Sequence, residues 1–208
     1  MKKNIAIFAS GSGSNFINIY QNTIANDING SISLLVSNNK NCGAVKFAVK
    51  NNIKLFIYND NLFPNDSNNL LLIKKLVFYG IDLIVLAGYI KKISIKLIKV
   101  FNNKIINIHP SLLPKFGGKG FYGINVHKAV FESNEKETGA TIHFIDSSYD
   151  TGPILLQEKF FIKKEYSIED IATKVLELEH RIYPRAIKFF CLDKIFWKNN
   201  IPFIEEKS

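Results

Sequence analysis

Through the first half of the chain, short apolar runs alternate with stretches of helical periodicity. Residues 4–9 read Asn-Ile-Ala-Ile-Phe-Ala, a strand, and residues 15–24 carry the spacing of an amphipathic helix. Strands are predicted over 32–36 and 53–58, flanking a helix near 43–50. A helix over 68–78 leads into 82–87, whose Leu-Ile-Val-Leu run is of the kind buried on both faces of a sheet. A short helix over 94–101 precedes a strand at 105–108. This rhythm predicts an α/β fold: a mostly parallel, doubly wound, Rossmann-like sheet with a helix covering each crossover.

The second half changes character. Residues 110–123 are rich in Gly, Pro and Lys, too long for a tight turn, and read as a functional loop. A short helix is expected over 125–132. Residues 141–145 and 154–161 then alternate polar and apolar side chains, as antiparallel strands near a sheet edge do. A long helix starts at Ser167, with Asp170 in its first turn, and runs toward Cys191; Pro184 is expected to kink or interrupt it.

Composition narrows the function classes. With 208 residues and 47% hydrophobic side chains, the chain suits one domain with a substantial core. It holds no stretch of about eighteen uninterrupted apolar residues, so no membrane span is expected. The apolar N-terminal run breaks at Ser10-Gly11-Ser12, too early for a signal peptide. Cys42 and Cys191 are too scattered for a disulfide framework or a metal site and read as reduced, packed thiols, which places the protein in the cytoplasm. The net charge of +9 raises a nucleic-acid face, but only Arg181 and Arg185 carry the guanidinium fork that readers of bases and phosphates favour. Dispersed lysines in a chain rich in Lys, Asn and Ile read instead as a solvated basic surface.

Directly after the first strand stands Ser10-Gly11-Ser12-Gly13-Ser14-Asn15, a glycine turn opening a helix. That arrangement cradles a phosphate, because glycines admit close approach and helix N-terminal N–H groups point at the anion. A dinucleotide fingerprint would need glycine where Phe16 stands and an acid where Val36-Ser37-Asn38 closes the next strand. A nicotinamide-dependent oxidoreductase is therefore disfavoured. A terminal phosphate on Gly13, Ser14 and Asn15 fits, as does a tight β-α turn without ligand.

Period two puts Asn107 and His109 on one side of their strand, at the carboxyl end where open α/β sheets place ligands. An amide beside an imidazole stabilises a negative oxygen growing on a carbonyl carbon; a polar strand end satisfied by local backbone gives the same pattern. Asp150, in Tyr149-Asp150-Thr151-Gly152-Pro153, lies on a turn. Its carboxylate either faces His109 and holds the imidazole oriented and charged, or simply shapes the turn.

Taken in order, Ala9-Ser10-Gly11-Ser12-Gly13-Ser14-Asn15, Leu86-Ala87-Gly88-Tyr89, Asn107-Ile108-His109-Pro110-Ser111-Leu112-Leu113-Pro114, His143-Phe144 and Asp150-Thr151-Gly152-Pro153 resemble the phosphoribosylglycinamide formyltransferases. The resemblance runs from Asn4 to about Phe190. It implies a single formyltransferase domain over 1–208, with a phosphate-binding Rossmann-like half over 1–108 and a folate and catalytic half over 109–208. It implies a formyl group passing directly from 10-formyltetrahydrofolate to the amine of glycinamide ribonucleotide through a tetrahedral intermediate, with no metal, in a monomer or homodimer that binds neither nucleic acid nor membrane. Asn107, His109 and Asp150 match the family's catalytic residues, Gly13, Ser14 and Asn15 its phosphate loop, and Glu179 the contact to the glycinamide end. Tyr89, Ile90, Lys91, Lys92 and Ile93, with Ile145, Asp146, Ser147, Ser148 and Tyr149, match the folate pocket. A cis peptide between Leu113 and Pro114 is implied as well.

Leu176 and the loop 116–123 depart from the family pattern, which puts one substrate hydrogen bond and the match of His127 to a second active-site histidine in question. Relatives that share the chemistry differ in extent. Methionyl-tRNA formyltransferase adds a C-terminal RNA-gripping domain, for which the residues after Pro153 leave little room. Formyltetrahydrofolate deformylase adds a domain before the first strand, where Met1 stands here.

Overall fold

The computed structural model of the protein describes residues 2–66 and 68–205. The elements follow the chain as β1 (Lys3–Phe8), α1 (Ser14–Ile24), β2 (Gly30–Ser37), α2 (Gly43–Lys50), β3 (Leu55–Ile57), α3 (Leu70–Phe78), β4 (Leu83–Leu86), α4 (Ile95–Val100) and β5 (Ile105–His109). They continue as α5 (Ile124–Glu132), β6 (Glu137–Phe144), β7 (Ile154–Phe161), α6 (Ile168–Cys191), β8 (Ile195–Lys198) and β9 (Ile201–Ile204). Seven strands form one sheet in the order β3-β2-β1-β4-β5-β6-β7. β1 pairs in parallel with both β2 and β4, and β2 with β3. β6 and β7 are antiparallel at the edge. The expected doubly wound architecture with an antiparallel edge is the one found. The chain divides into two compact units after Ile106.

In the first unit, β1 and β4 are nearly solid apolar strands. Ile5, Ala6, Ile7, Phe8, Leu83, Ile84 and Val85 have no accessible surface, as parallel strands covered on both faces require. The helices stop by a shared device. One residue past the C-cap of α1, α2 and α3, the backbone turns left-handed at Asn26, Asn52 and Gly80. The next amide then reaches back five residues, as Asp27 to Asn22, Ile53 to Ala48 and Ile81 to Leu76. Asn134 after α5 and Asp193 after α6 take the same conformation.

In the second unit, α6 packs on β6 and β7. Ser167 and Asp170 form a reciprocal capping box at its start. Of the two outcomes expected at Pro184, a kink or an interruption, the interruption does not occur, since Pro184 lies inside a continuous element from Ile168 to Cys191. Proline costs one backbone hydrogen bond there, and the burial of Ile182, Tyr183, Ala186 and Ile187 on that stretch outweighs the loss. The β8–β9 hairpin was not anticipated. Its turn, Asn199-Asn200, has positive φ at both positions, the geometry of a two-residue hairpin that matches strand twist. Its Trp197 packs on Phe144 with ring centroids 4.8 Å apart. Cys42 and Cys191 are buried, and neither is in a disulfide. Among the described residues no helix is long and apolar enough to cross a membrane.

α5 buries Val126, His127 and Val130. His127 is 7% exposed, and burial, aided by the charge of nearby His109, lowers its pKa from 6.5 to about 4. The unfolded chain therefore binds a proton between those two values that the folded chain refuses, and stability must fall as pH drops through that window. The thermal midpoint is expected to be level above about pH 7, to decline toward pH 4, and to decline less steeply in His127→Gln. Parallel pH profiles for wild type and variant, followed by circular dichroism, would show that His127 is not responsible.

Candidate active site

The first unit builds the glycine loop where the sheet order reverses, between the carboxyl ends of β1 and β4. Ala87 donates to the Phe8 carbonyl, and Ser10 donates to that of Gly88. The Ser10 hydroxyl donates to Asn38 Oδ1 at 2.5 Å and accepts from the Ile90 amide at 3.2 Å, so one side chain ties the loop to both neighbouring strand ends. Gly13 is the N-cap of α1, with φ +83°, and no side chain caps the helix. A Cβ at Gly13 would meet Ala44 at 2.9 Å, so α2 presses against the turn and only glycine fits. Ser14 is half-buried and Asn15 is buried in the first turn that follows.

Beside this loop lies the segment expected to hold folate. Tyr89 packs edge-on against Phe8 with centroids 5.2 Å apart, and burial raises its hydroxyl pKa. Ile90 and Lys92 are exposed, Lys91 pairs with Asp60 at 3.1 Å, and Ile93 is buried.

In the second unit three of the expected residues converge. His109, at the end of β5, is 3% exposed, and its Nδ1 lies 3.6 Å from Asp150 Oδ2. Its Nε2 lies 2.7 Å from the Phe116 carbonyl oxygen. A carbonyl only accepts, so Nε2 carries a proton. Asp150 Oδ1 lies 3.6 Å from Nε2 of His143, and that nitrogen is 3.1 Å from the Asn107 amide nitrogen. His143 Nδ1 is 2.9 Å from the Phe144 carbonyl and is its donor. In the neutral ring Nε2 is then the acceptor for one Asn107 N–H, and the amide's second N–H stays available.

The pKa values follow from this layout. Burial lowers His109, and the Asp150 carboxylate and the Phe116 carbonyl oppose it without prevailing. His143 is lowered for the same first reason, against the pull of the Phe144 carbonyl and Asp150. The expectation that Asp150 keeps His109 charged is therefore corrected: the pull exists, but desolvation outweighs it, and the resting imidazole is neutral at pH 7. Asp150 itself sits at φ +56°, and Gly118 donates to its Oδ2 at 2.9 Å. A side chain on Gly152 would overlap the Phe144 carbonyl, which is how the Asp150 turn folds so tightly onto the end of β6.

Three contributors went unassigned in the sequence reading: His143, the Phe116 carbonyl and the Gly118 amide. His143 carried a signal, a lone imidazole set among Thr141, Ile142 and Phe144 near a strand's carboxyl end. The backbone groups carried none. The Leu113–Pro114 peptide is cis, as the resemblance implied. In the loop 145–150, Ile145 is half-buried and Ser147, Ser148 and Tyr149 are exposed. Asp146 turns inward to accept from the Ser148 amide at 3.0 Å and from Thr151 Oγ1 at 2.8 Å. Glu179 is buried on α6, and Leu176, one turn earlier, is half-buried. Among the described residues no group of His, Cys, Asp and Glu could hold a metal ion.

A family model described as formyl transferase matches residues 3–187. The chloroplastic phosphoribosylglycinamide formyltransferase of Arabidopsis thaliana is 40% identical, over 100% of this chain and 72% of its own length. That of Haemophilus influenzae is 35% identical, over 99% of this chain and 95% of its own. The crystal structure of glycinamide ribonucleotide transformylase 1 from Symbiobacterium toebii matches with a TM-score of 0.91 at 29% identity, over 99% of this chain and 95% of that one. With buried His109 flanked by half-buried Asn107 and Asp150, and likeness along its whole length, the chain belongs to the formyl transferase family, among the phosphoribosylglycinamide formyltransferases.

Proposed function

We propose that this chain transfers the formyl group of 10-formyltetrahydrofolate to the amine of glycinamide ribonucleotide, giving N-formylglycinamide ribonucleotide and tetrahydrofolate, a step of de novo purine biosynthesis. The observation that carries the reading is the Asp150 carboxylate set 3.6 Å from a nitrogen of each of two buried imidazoles, one of which orients the Asn107 amide. The kinship with phosphoribosylglycinamide formyltransferases supports the choice of substrates.

Folate supplies an activated formyl carbon; the side chains do the rest. Attack by a neutral amine leaves negative charge on the formyl oxygen. The second N–H of Asn107 and the Nε2–H of His109, held at rest by the Phe116 carbonyl, are the donors assigned to that oxygen. Negative charge growing beside the His109 ring raises its affinity for a proton, and Asp150 on its other nitrogen steadies the cation. Because Nε2 already carries a proton, the one shed by the attacking amine enters the ring at Nδ1, beside Asp150, and the cation then gives up its Nε2 proton to the departing nitrogen. Glu179 is assigned the glycinamide end and the Gly13 to Asn15 turn the phosphate. The fused-ring head of the folate is given to backbone groups of 89–93 and 145–149. Asp146 fits that assignment because its carboxylate is spent inside its own loop. The reading places the enzyme in the cytoplasm as a monomer or homodimer.

Replacing Asp150 with Asn removes the opposing pull on His109. Turnover is expected to fall at least about a hundredfold, the lower range for a lost acid–base or oxyanion contribution, with KM for glycinamide ribonucleotide within a few fold. The His109 resonance in an NMR titration should move to lower pH than in the wild type. Wild-type turnover in Asp150→Asn would sink the reading. At the other end of the substrate, Gly13→Ala forces a Cβ against Ala44 in a left-handed backbone. Its KM for glycinamide ribonucleotide should rise roughly tenfold or more, given the spacing demanded by charge-assisted N–H contacts, while the KM for folate stays close to wild type. A selective rise in the folate KM would reassign the loop.

A further inference from the structure

We infer that Thr141 and Gln157 are positioning residues for His109, acting through the segment 111–118. The inference rests on the proposed role of His109. Thr141, on β6, has no accessible surface, and every hydrogen-bonding capacity of its hydroxyl is used on that segment or on β7. It donates to the Ser111 carbonyl at 2.6 Å, accepts from the Leu113 amide at 3.1 Å and accepts from Gln157 Nε2 at 2.8 Å. Gln157, reaching in from the edge strand β7, also donates to the Leu113 carbonyl at 3.1 Å. Both polar backbone groups of Leu113 are thus held by side chains of the sheet edge.

What the clamp holds is the carbonyl that faces the imidazole. Ser111 Oγ donates to the Lys115 carbonyl at 2.7 Å, which carries the constraint forward to the next residue, Phe116. Phe116 has φ +55°, a left-handed backbone that a bulky aromatic residue adopts only where its surroundings impose it. That conformation goes with the aim of its carbonyl, 2.7 Å from His109 Nε2. Two residues on, the Gly118 amide reaches Asp150 Oδ2 at 2.9 Å. One clamped segment therefore selects which nitrogen of His109 carries the proton and also fixes the carboxylate on the other side. Loosen the segment and the imidazole is free to change tautomer, presenting a lone pair where a donor is needed.

The test is Thr141→Val, which keeps the shape and removes the hydroxyl, with Thr141→Ser as rescue. Turnover of the valine variant should fall roughly tenfold to a hundredfold, the scale of a misplacement of about 1 Å at a reacting group, with KM for glycinamide ribonucleotide within about twofold. Nitrogen-15 NMR of the labelled imidazoles should show the His109 ring passing from a single Nε2-protonated form to a tautomer mixture. Serine should restore both readouts. Gln157→Leu, a change at an exposed edge position, should move both in the same direction by a smaller factor, and it carries the test should the valine variant not fold. Wild-type turnover in the folded variants, or reduced turnover with an unaltered His109 tautomer, would overturn the inference. If Asp150→Asn is inactive while Thr141→Val and Gln157→Leu are not, the clamp alone fails; if Asp150→Asn is fully active, the functional reading beneath it fails.

Discussion

The Asp150 carboxylate lies within 3.6 Å of nitrogens on two imidazoles that have been almost wholly removed from water, and the polar layout of the second unit follows from that conflict. Water would stabilise charge on either ring, and its exclusion disfavours charge on both. The carboxylate restores part of what burial takes away without prevailing, so both rings rest neutral beside a negative charge. An arrangement of this kind needs its geometry fixed from outside. The Phe144 carbonyl sets His143, the Phe116 carbonyl sets His109, and the Gly118 amide sets Asp150. Each of these is a backbone group delivered by a tight turn or strand end.

The first unit meets a different demand with different material. Its described contribution is a turn of small residues placed where the order of parallel strands reverses. Its apolar strands are rigid because they are packed on both sides, and that rigidity lets one hydroxyl, on Ser10, register the turn against the neighbouring strand ends. Its Gly13 is dictated both by contact with Ala44 and by a positive φ, so the requirement for glycine there does not depend on any bound anion.

Much of this was legible in the residues alone, and the reasons differ from place to place. Alternating apolar runs locate β1, β4 and α2 almost to the residue because burial on both faces, or on one helical stripe, leaves a periodic trace. Asn107 and His109 stand out because two polar residues at period two in an apolar strand demand an explanation. The β8–β9 hairpin left a weaker trace: its strands are short and half exposed, and the Asn-Asn turn is hard to tell from a compositional habit in a chain so rich in asparagine. Pro184 misleads because its local penalty is set against burial contributed by residues distant in sequence. His143 was visible as part of a motif, but its service to Asn107 is a matter of ring orientation, which no linear pattern encodes. The direction of the His109 shift lay beyond reach for a similar reason, since it depends on how much of the ring water still touches.

Asparagine serves this chain as a structural material as well as a compositional bias. At Asn26, Asn52 and Asn134, where a helix must turn left-handed to stop, this chain uses a residue that still carries a side chain. Glycine would adopt the same backbone with less strain, but it would also leave the denatured chain freer to wander. Placing asparagine at these corners trades a little native comfort for a narrower unfolded ensemble. In this chain an enrichment in one amide residue is therefore also a choice about how its helices end.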